Sequence, residues 1–428
     1  MNIFCIFIIA VLTFCSYIYQ KNIYNVSLIF NIFWLIVMIM SSMELFGIYP
    51  AEDFVYELVL IGVFFFNVGF LLSNRYHLTT NIFHNINENV IDGRRYFICL
   101  LLCLLTLLPD LQMIRFFISS GFDIHYIYYI VAMNSYGGDS IANQFGGGWQ
   151  QIVMIYIGYP LQYMLIATGI CKGVYEKEKQ FLIIAILLIM VRFIVDVKRT
   201  VILMVFLMAV FFIILLRDKC DVEKIHNKKI STKWLVLMFV FFICIYMALS
   251  EARRGEGDEF SLLENLYFYY AGCIKYFELR VLNMDIESTY GFFTLRGLIA
   301  PVMGLITKVI GIEFPLYEMA STQLALLHGT IYQIAPGHDY NSYATCFWEF
   351  YVDGGVFGII IFSLLYGYIG GRFYHEYKKR RTLKCMLNLS FFLSVYIMFS
   401  MLQISSIINY LVWPLMINFM LFKKECNG

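Results

Sequence analysis

Runs of about twenty apolar residues recur along the whole chain and are separated by short charged segments. The hydrocarbon core of a bilayer is about 30 Å thick, and a helix of roughly 20 predominantly apolar residues crosses it. Because the runs match that length, they predict membrane-spanning helices. The predicted spans lie near residues 3–19, 26–43, 55–72, 96–118, 151–171, 181–197, 200–216, 234–250, 356–373, 385–402 and 405–422.

Composition supports the same fold class. Hydrophobic residues make up 61% of the 428 positions and charged residues 14%, whereas soluble domains carry roughly 25% charge. We therefore expect an all-α, polytopic membrane helix bundle of about eleven transmembrane helices, forming a single domain over residues 1–428 with no soluble enzyme domain at either end. A net charge of +1 gives no support for nucleic-acid binding.

The basic residues of the loops predict an orientation, because cytoplasmic loops are enriched in lysine and arginine. Of the 31 basic residues, 21 lie in one alternating set of loops, which we predict to be cytoplasmic. Six of the other ten lie in residues 251–354, a segment too long to direct insertion. This orientation makes 251–354 a large external loop, places residues 119–150 on the same side, and puts the C-terminus inside and the N-terminus outside.

The external loop has structure of its own. Residues 262–282 have the apolar spacing of a helix and are rich in aromatic side chains. Residues 297–311 form a shorter apolar run that contains Pro301 and Lys308. This run is typical of an interfacial or re-entrant helix rather than a full span.

One basic cluster lies where the sixth predicted span meets the seventh. Arg192, Asp196 and Arg199 are spaced i, i+4 and i+7 and therefore share a helical face. A charge at hydrocarbon depth costs at least about 2.5 kcal/mol, so such residues usually face the bundle interior and have a functional role. The alternative is a structural ion-pair cluster at a helix end, and we favour the functional interpretation.

Further arginines occur in the external loop at positions 253, 254, 280 and 296. Guanidinium groups bind phosphate through paired charge-assisted hydrogen bonds. Several of them converging would hold a pyrophosphate, whereas any single one is better explained as a solvated loop charge.

From residue 336 onward, at the end of the external loop, polar and aromatic residues continue directly into the ninth predicted span. His338, Asp339, Glu349 and Asp353 are candidate proton acceptors there. A lone histidine is as often a hydrogen-bonded loop residue as a base. The sequence contains no GxxxxGK[ST], HExxH or GxSxG motif and no CxxC pair, so we expect neither a metal nor a cofactor.

The second half of the chain resembles a known family. Asn341-Ser-Tyr-Ala-Thr is followed by Phe350-Tyr-Val-Asp-Gly-Gly-Val-Phe-Gly358, and Gly367 lies in the next span. The tract 264–293 and Arg199 at a tight outer turn add to the pattern. Together these features resemble the Wzy-type O-antigen and capsule polymerases, the oligosaccharide repeat unit polymerases.

The resemblance implies a glycosyltransferase in the inner (cytoplasmic) membrane of a bacterium. Its donor and its acceptor would be undecaprenyl-diphosphate-linked oligosaccharide repeat units, joined at the outer face into O-antigen or capsular polysaccharide. A chain-length regulator would be a further protein partner. Because the lipid pyrophosphate is a stable leaving group, arginines are expected to stabilise its charge without a metal.

Within this hypothesis each candidate residue has a role. His338, or else Asp339 or Asp353, would assist the acceptor hydroxyl. Five arginines would hold the donor diphosphate: Arg192, Arg199, Arg253, Arg254 and Arg280.

Two alternatives remain open. An O-antigen ligase has a similar layout and also depends on a histidine late in the loop, here His338. A lipid-linked glycan flippase or transporter is the alternative from another class, but it would be expected to carry polar residues inside its spans, whereas this chain concentrates them in one external loop.

Overall fold

The computed structural model describes the greater part of the chain, namely residues 2–75, 86–119, 121, 150, 153–196, 199–222, 262–283, 286–340, 344–401, 405, 407, 410–411 and 416–424. Within these ranges helices dominate and only four short strands occur, which confirms the all-α class. The α-helices are α1 Asn2–Gln20, α2 Val26–Ser42, α3 Asp53–Arg75, α4 Gly93–Thr106, α5 Leu108–Ser119, α6 Tyr159–Tyr175, α7 Lys179–Asp196, α8 Arg199–Val222, α9 Leu262–Asn283, α10 Arg296–Ile310, α11 Pro315–Gly329, α12 Thr345–Arg380 and α13 Leu383–Ile397.

The four strands form two antiparallel ladders. Strand β1, Ile86–Ile91, pairs with β4, Phe422–Lys424. Strands β2, Tyr332–Ala335, and β3, His338–Tyr340, form a tight hairpin.

Several helices have the length and composition of membrane spans. Five of those in the described ranges are long and apolar enough to cross a bilayer, or six if a bent pair is one span. These helices are compatible with a membrane protein. The expected total of about eleven stays a prediction, and the eighth predicted span, residues 234–250, lies outside the described ranges.

The fourth predicted span, residues 96–118, is not one straight helix. Helices α4 and α5 meet there at an angle of 60°. Pro109 lies at the second position of α5, and because proline has no N–H and disfavours helical backbone at the preceding residue, a continuous helix is interrupted here.

The chain divides into two compact units. The first consists of Met1–Thr79, Phe260–Lys379 and Val395–Ile408, and the second of Thr80–Glu259, Arg380–Ser394 and Asn409–Gly428.

In the first unit, α3 and α12 approach each other closely through glycines. A Cβ at Gly69 would lie 2.0 Å from the carbonyl oxygen of Leu364, and one at Gly367 would lie 2.0 Å from that of Phe66. Small residues allow apolar helices to pack backbone to backbone, which is common where lipid removes the hydrophobic driving force. The contact therefore depends on glycine on both helices.

Polar side chains join α1, α2 and α3 inside the same unit. The side-chain amides of Asn31 and Asn67 exchange hydrogen bonds of 3.0 and 2.8 Å. Ser16 accepts a further bond of 3.0 Å from Asn31. Because the two buried amides satisfy each other, this cluster stabilises the packing of three apolar helices.

In the second unit, α6 and α7 form a tight helical pair. A Cβ at Gly169 would lie 2.8 Å from the carbonyl oxygen of Phe181. At the end of α6 the Nζ of Lys172 lies 3.0 Å from carboxylate oxygens of both Glu176 and Glu178. Burial raises the pKa of Glu176, and the neighbouring Glu178 adds to this effect, while the ammonium of Lys172 opposes it.

Several contacts join loops that are expected on the same side of the membrane. In the first unit the amide of Tyr49 donates to the carbonyl of Ile334 at 2.8 Å, and both segments are expected outside. In the second unit β1 pairs with β4, and Arg381 Nε lies 3.9 Å from Asp218 Oδ2. All four of these segments are expected inside.

Candidate functional site

The β2–β3 hairpin carries two of the predicted proton acceptors. Its turn contains Gly337 with a φ of +72°, a backbone conformation that glycine adopts without strain. The imidazole of His338 stacks on the ring of Phe268 from α9, with centroids 3.8 Å apart and planes inclined by 19°. His338 is half-buried and Asp339 is exposed. The hairpin therefore presents an imidazole and a carboxylate to solvent from a fixed aromatic support.

A loop from the N-terminal part of the chain extends this aromatic support. Phe46 packs edge to face on Tyr267 at 5.3 Å and lies 6.4 Å from Phe268. Both Phe46, with φ of +57°, and Glu44, with φ of +50°, have left-handed backbone that non-glycine residues rarely adopt. Ring contacts thus join four side chains into one cluster: Phe46, Tyr267, Phe268 and His338. Sequence reasoning missed Phe46, because nothing in a short loop indicates a partner more than two hundred residues away.

Hydrogen bonds fix that loop to α9. The Tyr267 hydroxyl donates to the carbonyl of Met40 and accepts a 3.0 Å bond from the amide of Leu45. Burial raises the pKa of Tyr267, while the hydrogen bond from Leu45 opposes this effect. The phenol therefore stays protonated at neutral pH and remains a donor.

An ion pair on α9 holds the segment that leads into α3. The Nζ of Lys275 lies 2.6 Å from Glu278 and donates to the carbonyl of Pro50 at 2.8 Å. Glu278 also accepts from the amide of Glu52 at 2.7 Å. Because Glu278 is buried, these contacts compensate the cost of removing its charge from water.

Arg280 is fully buried on the same helix. Its Nη2 donates to the Tyr276 hydroxyl at 2.8 Å and to the carbonyls of Leu326 and Leu327 at 3.0 and 2.6 Å. These carbonyls belong to the last turn of α11, where a positive charge is favourable. The guanidinium also lies 5.5 Å from the ring of Trp348. The structure thus gives Arg280 a helix-capping position, and its predicted role in binding a diphosphate stays a prediction.

Tyr332 lines the same region. Burial raises the pKa of its hydroxyl, and the nearby guanidinium of Arg280 opposes that shift. Tyr276 lies between Arg280 and the hairpin, since its ring centroid is 5.2 Å from that of Tyr340. Arg280, His338 and Asp339 therefore belong to one packed region around α9.

Asp353 lies where α12 changes direction. Residues 354 and 355 interrupt the helix, and Gly355 has φ of +60°. The carboxylate of Asp353 accepts from the amides of Gly291, Phe293 and Thr294 at 2.8, 3.0 and 2.7 Å, and from the hydroxyl of Thr289. The side chain is buried and organises the turn before α10. Its predicted catalytic role stays a prediction.

Arg192 belongs to the second unit. Its guanidinium carbon lies 3.6 Å from the ring centroid of Tyr159 on α6 and 5.9 Å from that of Tyr163. The hydroxyl of Tyr159 donates to the buried carboxylate of Asp110 at 3.2 Å. A desolvated cation over an aromatic ring gains about 2 kcal/mol or more. The sequence did not indicate a role for Asp110 or Tyr159, because each lies within a predicted apolar span.

The structure describes less of the surroundings of the other predicted arginines. Arg199 is the first residue of α8, and α7 ends at Asp196. Residues 197 and 198 between them lie outside the described residues. Arg253 and Arg254 lie outside the described residues.

Comparisons with known proteins leave the family open, since no family model, no curated protein and no solved structure matches this chain.

Proposed function

We propose that the chain is a membrane glycosyltransferase that polymerises lipid-linked oligosaccharide repeat units, as the resemblance to Wzy-type polymerases implies. The observation that carries the proposal is the position of His338. It is half-buried on a hairpin and stacked 3.8 Å from Phe268, and the hairpin contacts the loop between the apolar helices α2 and α3 through Ile334 and Tyr49. A base held in this way, at the expected outer surface of a membrane, suits a substrate whose lipid lies in the bilayer and whose sugars lie outside it.

The chemistry requires few groups. The acceptor hydroxyl attacks the anomeric carbon of the donor glycan, a new C–O bond forms, and the bond from that carbon to the pyrophosphate oxygen breaks. His338 accepts the hydroxyl proton, and the polyprenyl pyrophosphate departs with the bonding electrons. General-base assistance of this kind contributes about 10²–10⁴-fold to the rate.

Asp339 is the second candidate for handling the acceptor. It is exposed beside His338, and a carboxylate there accepts hydrogen bonds from sugar hydroxyls. Phe46, whose side chain is exposed, offers apolar ring surface near these polar groups, and the buried ring of Phe268 supports the imidazole of His338. The resemblance implies that arginines neutralise the charge of the departing pyrophosphate.

The test is extension of a synthetic undecaprenyl-diphosphate repeat unit by the purified full chain in nanodiscs. We expect a ladder of longer glycans. His338→Ala should reduce the rate by about 10²-fold or more, whereas Leu263→Ala, an exposed position at the start of α9, should leave it unchanged. No extension by the wild-type protein would contradict the proposal, as would full activity of His338→Ala.

A deletion strain separates polymerisation from ligation. Loss of a polymerase leaves one repeat unit attached to the surface lipid, whereas loss of a ligase leaves none. A protein that moves lipid-linked glycans across the bilayer without lengthening them is a flippase, and the nanodisc assay would detect no product from it.

A further inference from the structure

Helix α10 exposes a continuous apolar stripe. Leu298, Val302, Leu305 and Val309 are spaced by four, three and four residues and share one helical face. Their exposed fractions lie between 51% and 71%. On another side Gly304 faces α11, where a Cβ would meet the hydroxyl of Tyr317 at 3.8 Å. Within the part of the chain that the structure describes, the stripe is therefore the exposed side of a helix that is packed on its other side.

The turn that leads into α10 lies beside an apolar span. Ser405 donates to the carbonyl of Thr294 at 2.7 Å and is itself bonded to the hydroxyl of Tyr366. A Cβ at Gly291 would lie 3.4 Å from the ring of Phe362. Tyr366 is about 16 Å along α12 from the break at Gly355, inside the stretch that is apolar enough to cross a bilayer. The turn is thus held beside this apolar stretch, and it lies at hydrocarbon depth if the stretch crosses a bilayer.

Irregular backbone at such a depth needs internal hydrogen-bond partners, because hydrocarbon offers none. Asp353 provides them by accepting from three amides of this turn. The same contacts compensate the charge of Asp353, which would otherwise be costly at this position. Carboxylate and turn therefore form a self-contained unit that does not need water.

We propose that α10 and the turn before it, residues 286–295, form a re-entrant element whose stripe lies against the acyl chains of the bilayer. Protein interfaces carry about one hydrogen bond per 100–200 Å² and a polar rim, whereas this stripe offers only aliphatic side chains. Helix α12 beside the turn exposes its own apolar residues at helical spacing, Phe357, Ile361 and Leu365. Both surfaces fit hydrocarbon, and the inference does not depend on the proposed enzymatic activity.

Photocrosslinking tests this assignment. A photoreactive phenylalanine analogue is placed at Val302 or Val309 of the full chain, and in parallel at Asp339, which is exposed on the hairpin. After illumination in nanodiscs and in native membranes, mass spectrometry identifies the adducts. We expect phospholipid adducts at Val302 and Val309 and none above background at Asp339.

Two outcomes would overturn the inference. An adduct of Val302 with a second copy of the chain or with another protein would show that the stripe is a protein interface. Equal addition of water at Val302 and Asp339 would place the stripe in solvent. Unaltered elution of each variant in size-exclusion chromatography verifies that the comparison is made on folded protein.

Discussion

Single buried charges in this protein are stabilised by backbone groups as well as by opposite charges. Arg280 donates to carbonyls at the end of α11, and Asp353 accepts from amides of the turn before α10. Hydrogen bonds to a charged group contribute about 1.5–3 kcal/mol each. Each residue therefore connects segments that are distant in sequence.

Replacement of Asp353 tests whether its carboxylate stabilises the turn before α10. Asp353→Ala leaves three amides without their acceptor and should lower the free energy of unfolding by about 3 kcal/mol or more. Asp353→Asn keeps one carbonyl oxygen but turns an NH₂ group towards the amide of Thr294, so its effect should be smaller. Thermal unfolding in detergent measures both. Asp339→Ala, on the exposed hairpin position, serves as control, and equal stability of all three variants would contradict the role.

These residues mark a limit of sequence analysis. The candidates His338, Asp339 and Asp353 were found from residue type and position, but their surroundings were not. The partners of Asp353 lie about sixty residues away in sequence, and those of Arg280 lie at the end of a helix that was not predicted. Periodicity reveals a helical face, whereas a hydrogen bond across such a separation leaves no local pattern.

At the scale of elements, apolar runs predicted helices well. Described helices overlap the first seven predicted spans and also the ninth and tenth, and α9 matches the helix expected at 262–282. The sequence did not predict α11, the β2–β3 hairpin or the extension of α12 back to Thr345. In that extension Glu349 and Asp353 interrupt the hydropathy. Both are buried in the first unit, and for Asp353 the hydrogen bonds from the turn before α10 offset the cost of burial.

The contact of α3 with α12 yields an element-scale prediction. Gly69→Ala introduces a methyl group where backbone oxygen would be 2.0 Å away, so the helices must separate. We expect a loss of about 1–3 kcal/mol in the free energy of unfolding. Gly329→Ala is the matched control, because a Cβ there meets nothing within 4 Å. Melting temperatures measured in detergent compare the two variants, and an unchanged value for Gly69→Ala would contradict the close approach.

For the whole molecule, sidedness can be argued without counting every span. The segments 43–52 and 332–340 touch each other directly within the first unit, through the amide of Tyr49 and the carbonyl of Ile334, and 43–52 also contacts α9 through Pro50 and Lys275. They must therefore lie on the same side of a membrane, whatever the number of crossings between them. Charge in the loops then selects which side, since the segments that join the opposite helix ends contain most of the lysines and arginines.

This orientation predicts the accessibility of two tags. An epitope inserted at Gly337, where a Cβ meets nothing within 4 Å, should bind antibody on intact spheroplasts. An epitope following Gly428 should bind only after permeabilisation, because the preceding β4 pairs with β1 next to basic sequence that is expected in the cytoplasm. The reversed pattern would place His338 in the cytoplasm, where nucleotide-activated sugars are available. That result would contradict the proposal that the donor is activated by a lipid pyrophosphate.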